Sequence, residues 1–305
     1  MNVRDGKVLL IVNPAAKRFE AEDAGYLVRH ILREELGAVK VDVVQTSSPG
    51  HATFLASGTG GEYASVVVVG GDGVVHETVN GLMQIDESER PAFGIIPVGS
   101  GNDYARTIGM SENVEEACQQ LFGAEARPFD VGKVNDEYFV ETLSFGLDAA
   151  IAIGTVEARH HTNKTGGALY FEVGIDQLLH HLDNYHIQVE FDDERVVDTS
   201  VIMFAIQIGQ TYGGGFRICP NAKPDDGLFD ICYAEGKWSI PRAVATFARA
   251  KSGKHINARG VKFEQASKVH IRFESEPPAQ AEGEKVTGSD FTVSIIPGAL
   301  QVFVP

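Results

Sequence analysis

The chain has 305 residues and carries 42 Asp and Glu against 26 Lys and Arg, which gives a formal net charge of −16. Nucleic-acid binders neutralise phosphates with clustered Lys and Arg, so this charge argues against a nucleic-acid partner, and no contiguous polybasic run is present to hold an anionic bilayer. The length suits two domains, each with its own core, and 43% apolar residues is typical of a globular protein.

The cysteines are few and widely spaced along the chain, at Cys118, Cys219 and Cys232. An odd number of separated cysteines, with no Cys-x-x-Cys pair, is explained most simply by a reducing, cytoplasmic compartment. No apolar run approaches the length of a transmembrane helix, so we expect any membrane contact to be peripheral, on the inner face of the membrane.

Strands and helices alternate in the first part of the chain. Apolar strands are predicted at residues 8–12, 39–46, 66–69 and 93–97, with helices at 20–36 and 52–57. The four consecutive valines at 66–69 are typical of a strand buried on both faces, as in a parallel sheet. The alternation predicts an α/β domain over residues 1–131, in which ligands bind beyond the carboxyl ends of the strands.

The periodicity changes from residue 132 onward. Tyr185, Ile187, Val189 and Phe191 alternate with polar residues, as in a strand with one buried face. A hairpin is predicted around Asn135, further strands at 201–208, 228–233, 269–273 and 291–296, and helices at 168–182 and 240–250. The pattern predicts an antiparallel β domain, a sandwich or open barrel, over 132–296. A separate last strand at 300–304 suggests that residues 297–305 return to the first domain.

A glycine-rich loop, Gly70-Gly71-Asp72-Gly73, separates the valine strand from a helical pattern. Glycine allows close backbone approach, and the first N–H groups of a helix favour an anion, so this arrangement predicts a phosphate site. The alternative is a tight turn. Asp72 would repel a triphosphate unless a divalent cation lies between them or the carboxylate is catalytic. The loop has neither the Gly-Lys-Ser/Thr of a Walker A motif nor the dinucleotide pattern.

A second loop of the same kind, Gly99-Ser100-Gly101-Asn102-Asp103, follows the strand at 93–97. Ser100 can donate to a phosphate oxygen, and Asp103 can hold a metal or orient the network of Asp72. Helix capping by Asn102 or Asp103 explains the same residues, and the sequence leaves both interpretations open.

Two acidic segments of the second domain could carry chemistry. Residues 223–228, Lys-Pro-Asp-Asp-Gly-Leu, form either a hairpin turn or an oxygen-ligand site for Mg²⁺ or Ca²⁺. Glu282-Gly283-Glu284 is either a surface turn or the source of a general base. The histidine pairs at 160–161 and 180–181 have no metal-ligand spacing, and we interpret them as surface or core residues.

Six motifs, in order, resemble the diacylglycerol kinase catalytic-domain family, which includes sphingosine and ceramide kinases. The matching segments are Asn13-Pro14, Thr46 with Gly50-His51-Ala52, Gly70–Gly73 with His76-Glu77 and Asn80-Gly81, Pro97–Asp103, Ser144–Ala149 and Lys223–Leu228. The resemblance covers nearly the whole chain, and among family members the sequence looks most similar to the small bacterial soluble lipid kinases. It implies a nucleotide domain like that of NAD kinases and phosphofructokinases, followed by an antiparallel β-sandwich that binds the lipid.

The resemblance also implies the residues of the site. ATP phosphates would contact Asn13, Pro14, Thr46, Gly70, Gly71, Asp72, Gly73, Val74, Val75, His76 and Ser100. Asp72 and Asp103 would organise catalytic Mg²⁺. A structural Mg²⁺ would bind the carbonyl oxygens of Lys223 and Leu228 and the carboxylate of Asp226. The lipid hydroxyl would lie between the domains and be deprotonated near Glu284.

The sequence departs from the family pattern in two places. Glu282 stands where the family usually has Asp, and misplacing a catalytic group by about one bond length can cost roughly 10²-fold in rate. If Glu282 is the base, turnover is reduced, whereas if Glu284 is the base, nothing is lost. After Asn13-Pro14 the chain has Ala15-Ala16-Lys17, so fewer hydroxyls reach the phosphates, and Lys17 is the candidate substitute.

The sequence thus predicts an ATP- and Mg²⁺-dependent kinase that transfers the γ-phosphoryl group to a hydroxyl of a diacylglycerol-like membrane lipid. Two alternatives remain. One is a kinase for a soluble substrate such as NAD, and the other is a non-catalytic lipid-binding protein on the same fold. Neither the identity of the lipid nor the choice between monomer and homodimer follows from the sequence.

Overall fold

The computed structural model describes residues 1–16, 20–36, 40–159, 161–162 and 164–305. Lys17 and His160, both named above, lie outside the described residues. The chain divides into two compact units, one made of Met1–Val131 with Pro297–Pro305 and the other of Gly132–Ile296. Among the described residues, no helix combines the length and the apolar composition that crossing a bilayer requires.

The first unit is a parallel sheet with helices. Its strands are β1 (Val8–Val12), β2 (Val41–Gln45), β3 (Ser65–Gly70) and β4 (Ala92–Pro97), and its helices are α1 (Glu20–Leu36), α2 (His51–Ser57), α3 (Asp72–Leu82), α4 (Asp103–Thr107) and α5 (Val114–Gly123). The strand order is β2-β1-β3-β4, and every pair is parallel. All residues of β1, β3 and β4 are buried, as expected for strands covered on both faces.

The second unit is antiparallel. It contains β6 (Glu137–Phe139), β7 (Thr142–Gly146), β8 (Tyr185–Phe191), β9 (Arg195–Gln207), β10 (Phe229–Glu235), β11 (Val261–Ala266), β12 (Lys268–Phe273), β13 (Ala279–Ala281) and β14 (Glu284–Val286). Its helices are α6 (Leu147–Ala158), α7 (Gly166–His180) and α8 (Ile240–Ala250). Two strands belong to both units by residue number, β5 (Glu125–Val134) and β15 (Asp290–Val304). Strand pairs such as β8 with β9 and β9 with β10 are antiparallel.

The strands of the second unit separate two hydrophobic clusters. On β10, Ile231 and Tyr233 belong to an all-strand core, while Cys232 and Ala234 pack with the helices. This alternation follows from the two-residue period of a strand and confirms the predicted antiparallel β domain. The predicted helix at 240–250 matches α8.

Some predicted elements were wrong or incomplete. The strands predicted separately at 291–296 and 300–304 are one strand, β15, because Pro297-Gly298 does not end it. Gly298 has φ of 61° there, and its N–H donates to Asp130 Oδ1 at 2.8 Å. The short strands β13 and β14 and the helix α6 were not predicted. Helix α6 is apolar on most sides and so has no amphipathic stripe to reveal it.

Candidate functional site

The polar loops of the first unit gather at one edge of its sheet. Asn13, which follows β1, donates its N–H to the carbonyl of Val69 at 3.0 Å, and Thr46, which follows β2, donates to that of Val12 at 2.8 Å. The N–H of Val98, after β4, donates to the carbonyl of Gly70 at 2.8 Å. The predicted gathering at the carboxyl ends is therefore present in the structure.

Two glycines let the loops after β3 and β4 touch through their backbones. A Cβ built on Gly71 would lie 2.8 Å from the Cα of Gly99, and a Cβ on Gly99 would lie 2.4 Å from the Cα of Gly71. Real Cβ atoms are not found so close to a backbone atom. Any side chain at either position would push the two loops apart.

Asp72 connects the two glycine loops. Its Oδ1 accepts hydrogen bonds from the N–H groups of Asp103 at 2.8 Å and Tyr104 at 3.3 Å, at the first turn of α4. A carboxylate is favourable there because the unpaired N–H groups of a helix start carry partial positive charge. Asp72 thus caps a helix that begins 31 residues later in the chain.

The hydrogen bonds of the loop after β4 show which partners the side chains of Asn102 and Asp103 have. Asn102 has φ of 55° and makes no side-chain cap for α4. Its amide instead bonds Gly99 twice, accepting from the N–H at 2.8 Å and donating to the carbonyl at 3.0 Å. Asp103 is 6% exposed, and its Oδ1 accepts from Arg106 Nη1 at 2.7 Å. Helix capping by Asn102 is therefore excluded.

The two carboxylates approach each other at Gly101. A Cβ there would lie 2.5 Å from Asp72 Oδ2 and 3.3 Å from Asp103 Oδ2. Two carboxylate oxygens around one small residue form the kind of negative, oxygen-rich position that suits Mg²⁺. No group of three or more His, Cys, Asp or Glu that could hold a metal occurs in the described part of the chain. A cation here would need phosphate or water oxygens as further ligands.

The start of α3 is open to a ligand. Gly73 is exposed, and a Cβ built on it would meet no atom within 4 Å. Val74 and Val75 have buried side chains, and their N–H groups already donate to the carbonyl of Gly71. The predicted phosphate contact at these two positions therefore involves no side chain. Gly73 is the position where an anion can come closest to the backbone.

Glu77 and Gly81, in the motif around His76, hold α2 against α3. His76 is 5% exposed, and its Nε2 lies 3.4 Å from Asn80 Nδ2. Glu77 accepts from the N–H groups of Gly50 at 2.9 Å and Ala52 at 3.1 Å, which caps α2. A Cβ on Gly81 would lie 2.4 Å from the carbonyl oxygen of Thr53. Glu77 and Gly81 thus pack α2 on α3, the His76 ring is buried beside Asn80, and the contact of His76 with a phosphate stays a prediction.

The remaining predicted residues of this edge are less constrained. Asn13 is half-buried, and its Oδ1 accepts from the N–H of Ala15 at 3.1 Å. Pro14, Thr46 and Ser100 are half-buried at the same edge.

The predicted metal turn lies in the second unit, before β10. Asp226 is exposed, and its Oδ1 accepts from the N–H of Leu228 at 3.1 Å. Burial raises the pKa of the Asp230 carboxyl nearby, and the charge of Asp226 raises it further. A carboxylate and backbone carbonyls are the ligand types that Mg²⁺ and Ca²⁺ prefer, and the metal site at Lys223, Asp226 and Leu228 stays a prediction.

The acidic segment at 282–284 is the turn of the β13–β14 hairpin. Glu282 has φ of 54° and Gly283 has φ of 95°, so both turn residues lie in the left-handed region that Gly and Asn or Asp favour. Glu282 Oε1 accepts from the N–H groups of Val140 and Glu141, both at 2.7 Å. These two bonds offset the cost of the unusual φ. Glu284 is exposed on β14.

Asp148 is a functional candidate that was named from sequence only as part of the Ser144–Ala149 motif. It is 5% exposed, and its Oδ1 accepts from the hydroxyl of Tyr170 at 2.9 Å and from that of Tyr212. Its Oδ2 meets no donor in hydrogen-bond geometry among the described residues. Burial raises the pKa of Asp148, against the opposing effect of the hydroxyls of Tyr212, Ser144 and Tyr170.

Asp148 lines an apolar cavity of the second unit. The cavity lies among α6, α7, α8 and the strands β9 and β10, and its lining includes Leu147, Ile151, Leu178, Ile202, Ile218 and Phe247. An apolar cavity with one buried carboxyl group suits a ligand that is mostly hydrocarbon and carries a hydroxyl. Sequence alone could not find it, because its lining comes from segments far apart in the chain.

Two family models match the chain. The diacylglycerol kinase catalytic domain matches residues 7–134, and the YegS C-terminal NAD kinase beta sandwich-like domain matches residues 141–304. The chain belongs to the diacylglycerol and lipid kinase family. The second match alone spans more than half of the chain.

Individual relatives agree with the family assignment. The chain is 32% identical over 243 residues to a "Probable lipid kinase YegS-like" of Chromohalobacter salexigens, covering 79% of this chain and 76% of that protein. It is 26% identical over 277 residues to a "Diacylglycerol kinase" of Bacillus subtilis, covering 90% and 88%. A crystal structure of a diacylglycerol kinase from Bacillus anthracis matches with a TM-score of 0.78 at 22% identity, covering 98% of this chain and 97% of that one. This last match confirms the fold.

Proposed function

We propose that the protein is an ATP- and Mg²⁺-dependent kinase that phosphorylates a hydroxyl of a diacylglycerol-like lipid. The observation that carries this proposal is the cavity of the second unit, whose lining is apolar except for groups such as Asp148. NAD is highly polar and charged, and such a lining offers few partners for its phosphates and riboses. Acyl chains, in contrast, would bury hydrocarbon there.

The first unit would bind ATP through its backbone. The exposed Gly73 at the start of α3 lets a phosphate approach the helix terminus, and Ser100, Thr46 and Asn13 add polar side chains at the same sheet edge. Mg²⁺ bound by Asp72 and Asp103 would neutralise charge on the transferred phosphoryl group. The carboxylates are held in place beforehand, Asp72 by two N–H groups and Asp103 by Arg106.

Glu284 is proposed as the general base, with Glu282 positioning the hairpin. The Oε1 of Glu282 already accepts two short N–H bonds, so this oxygen is poorly suited to take a proton. Glu284 is exposed one residue beyond the turn, on a strand fixed by its pairing with β13. Asp148 would accept a hydrogen bond from a lipid hydroxyl or donate one to an ester group, because its Oδ2 meets no donor in hydrogen-bond geometry among the described residues.

The test is phosphorylation by labelled ATP with Mg²⁺. Diacylglycerol is offered in neutral detergent micelles, and NAD is offered separately. We expect label in the lipid product. Label in NADP alone would contradict the proposal and support the soluble-substrate alternative, and label in neither would support a non-catalytic lipid-binding protein.

The base assignment has its own test in two matched variants. Glu284→Gln should lower kcat by about 10²–10⁴-fold, the usual contribution of a general base. Glu282→Gln should lower it much less, since the Gln Oε1 can still accept from Val140 and Glu141. Equal losses with unchanged thermal stability would show that Glu282 takes part in proton transfer.

A further inference from the structure

The positive charge of this acidic chain is concentrated in one segment. Between Glu235 and Glu264 the sequence has seven basic residues and no Asp or Glu. They are Lys237, Arg242, Arg249, Lys251, Lys254, Arg259 and Lys262. This segment of 28 residues therefore holds 7 of the 26 Lys and Arg of the whole chain. The charges are not contiguous, so they do not form a polybasic run in the sequence.

Folding collects these charges around α8. At its carboxyl end the chain turns tightly, with the N–H of Lys254 donating to the carbonyl of Arg249 at 3.0 Å, so Arg249, Lys251 and Lys254 lie close together. At its amino end, the guanidinium of Arg242 stacks 3.8 Å from the Trp238 ring centroid and donates to the carbonyl of Arg259. We call the exposed surface that carries these seven Lys and Arg side chains the basic face.

Most cations of the basic face have no acidic partner. The closest approach to a carboxylate is Lys262 to Glu235 at 3.9 Å, across an exposed pair. Within the described part of the chain, Arg249, Lys251 and Lys254 are exposed and form no ion pair. Two basic residues elsewhere in this unit, Lys164 and Lys268, are instead paired with Glu172 and Asp193. Several cations of the basic face are therefore left without an ion pair among the described residues and are available to an anionic surface.

Exposed apolar groups accompany the charge. Ile240 and Ile256 are each 39% exposed, and Pro241, Ala245 and Ala248 share the outer side of α8. A helix that combines basic residues with an exposed apolar stripe and has no acidic residue has the composition of a segment that lies in the membrane interface. A nucleic acid would use the cations but not these aliphatic side chains.

The inner side of α8 explains why such a face would be useful. Ala243, Phe247 and Ala250 line the apolar cavity that contains Asp148, and so does Trp238. The helix therefore has the cavity on one side and the basic face on the other. A bilayer resting on the basic face would be separated from the cavity only by α8.

We propose that the basic face docks on anionic lipid bilayers. The Lys and Arg side chains would contact lipid phosphates, and Ile240 and Ile256 would enter the boundary between head groups and acyl chains. For its biological meaning the inference rests on the proposed lipid kinase function, since it places the protein where its substrate is. It also resolves how a chain of net charge −16 approaches a negative surface.

The test uses the only tryptophan of the chain. Trp238 packs against Arg242 of the basic face and also lines the cavity, so its quenching reports docking only where it is lost together with sedimentation in the basic-face variant described below. The full-length protein is mixed with vesicles of phosphatidylcholine alone, or with 30% phosphatidylglycerol, with and without brominated acyl chains. We expect sedimentation and bromine quenching with the anionic vesicles only, and loss of both at high salt. Sedimentation without quenching would overturn the proposal.

Two triple variants with the same change in net charge distinguish an effect of the basic face from an effect of the total charge of the protein. Arg249→Gln, Lys251→Gln and Lys254→Gln together should weaken vesicle binding by about 100-fold, at roughly fivefold per charge. Lys164→Gln, Arg195→Gln and Lys268→Gln change the net charge equally on exposed residues elsewhere in the unit and should change binding little. Equal weakening by both sets, or tighter binding of the wild type to an RNA duplex than to anionic vesicles, would contradict the proposal.

Kinase activity on a short-chain diacylglycerol in neutral micelles keeps the two proposals distinguishable. The basic-face variant should retain this activity, because the micelle carries no charge. If the wild type docks through this face but phosphorylates neither lipid nor NAD, the proposed function is wrong and the docking proposal is supported. If the wild type phosphorylates the micellar lipid but does not bind anionic vesicles, the docking proposal is wrong and the proposed function is supported.

Discussion

The two candidate binding regions are built from different parts of the polypeptide. The sheet edge of the first unit is made of backbone, since Gly71 and Gly99 touch through their Cα atoms and the start of α3 is open at Gly73. The cavity of the second unit is made of side chains, with Leu, Ile and Phe around the single carboxyl of Asp148. Phosphates need N–H groups and close approach, whereas acyl chains need hydrocarbon surface.

This contrast predicts different responses to substitution. An added methyl group should be most damaging where backbone meets backbone, because a backbone cannot rotate away as a side chain can. In the cavity, the same change in volume should be absorbed in part by rotamer shifts. The following experiments test this difference, from the largest expected effect to the smallest.

Gly71→Ala should have the largest effect. Its Cβ would lie 2.8 Å from the Cα of Gly99, so the two loops must separate and the phosphate-side geometry is lost. We expect activity to fall by at least about 100-fold, since displacements of about 1 Å can have this effect. Kinase assays and thermal melting would measure it. Gly123→Ala is the control, because a Cβ there meets no atom within 4 Å, and an equal loss in the control would refute the argument.

Gly73→Ala should reduce ATP binding without harming the fold. A Cβ there meets nothing within 4 Å, and Ala is favoured over Gly in a helix by up to about 1 kcal/mol, so the melting temperature should stay or rise. The methyl group would occupy the space that a phosphate needs, and we expect KM for ATP to rise at least about tenfold. An unchanged KM for ATP in this variant would show that the ATP phosphates do not bind next to Gly73.

Ala243→Leu should affect the lipid rather than ATP. Ala243 is buried on the cavity side of α8, so the larger side chain would fill part of the cavity. We expect KM for long-chain diacylglycerol to rise by up to about tenfold, with KM for ATP unchanged. Ala245→Leu, on the exposed side of the same helix, is the control in neutral micelles. A rise in both variants would mean that the cavity is not the acyl site.

Asp148→Asn should change how stability depends on pH. Burial raises the pKa of Asp148 in the folded state, so the native protein binds this proton more tightly than the unfolded chain does. The stability that this group contributes is fully present below the unfolded pKa of about 3.9 and is lost as pH rises through the folded pKa. Asn cannot ionise and avoids this loss.

The expected result is that the difference in melting temperature between the variant and the wild type changes with pH. From pH 4.5 to pH 7.5, the variant should gain a few degrees relative to the wild type, since about 1 kcal/mol corresponds to roughly 2–4 °C in a protein of this size. Melting curves of both proteins at several pH values would show it. A constant difference across this range would mean that Asp148 is ionised throughout.

Much of the fold follows from local sequence patterns. The run Val66–Val69 predicted a fully buried parallel strand, and the alternation from Tyr185 to Phe191 predicted a strand with one buried face, because both patterns depend only on the side-chain period of a strand. The glycine loops after β3 and β4 were likewise evident, since parallel strands bring such loops to one edge. The motif order was sufficient to indicate the kinase family.

The roles of individual residues needed the tertiary structure. From sequence, His76 was a candidate phosphate ligand, Asn102 a candidate cap and Glu282 a candidate base. In the structure the His76 ring is buried, Asn102 closes its own loop and Glu282 is held by two backbone N–H groups. Each outcome depends on which donor lies nearby in space, and the nearest donor of Glu282 is more than a hundred residues away in the chain.

The sequence by itself determined the α/β and antiparallel β architecture, the family and the loop that runs from Gly70 to Gly73. Only the tertiary structure decided that Asp72 caps α4, that Asp148 is buried in an apolar cavity and that scattered cations form one face around α8. The physical reason is that periodicity and glycine act over a few neighbouring residues. Burial, hydrogen-bond partners and surface charge depend on segments that only folding brings together.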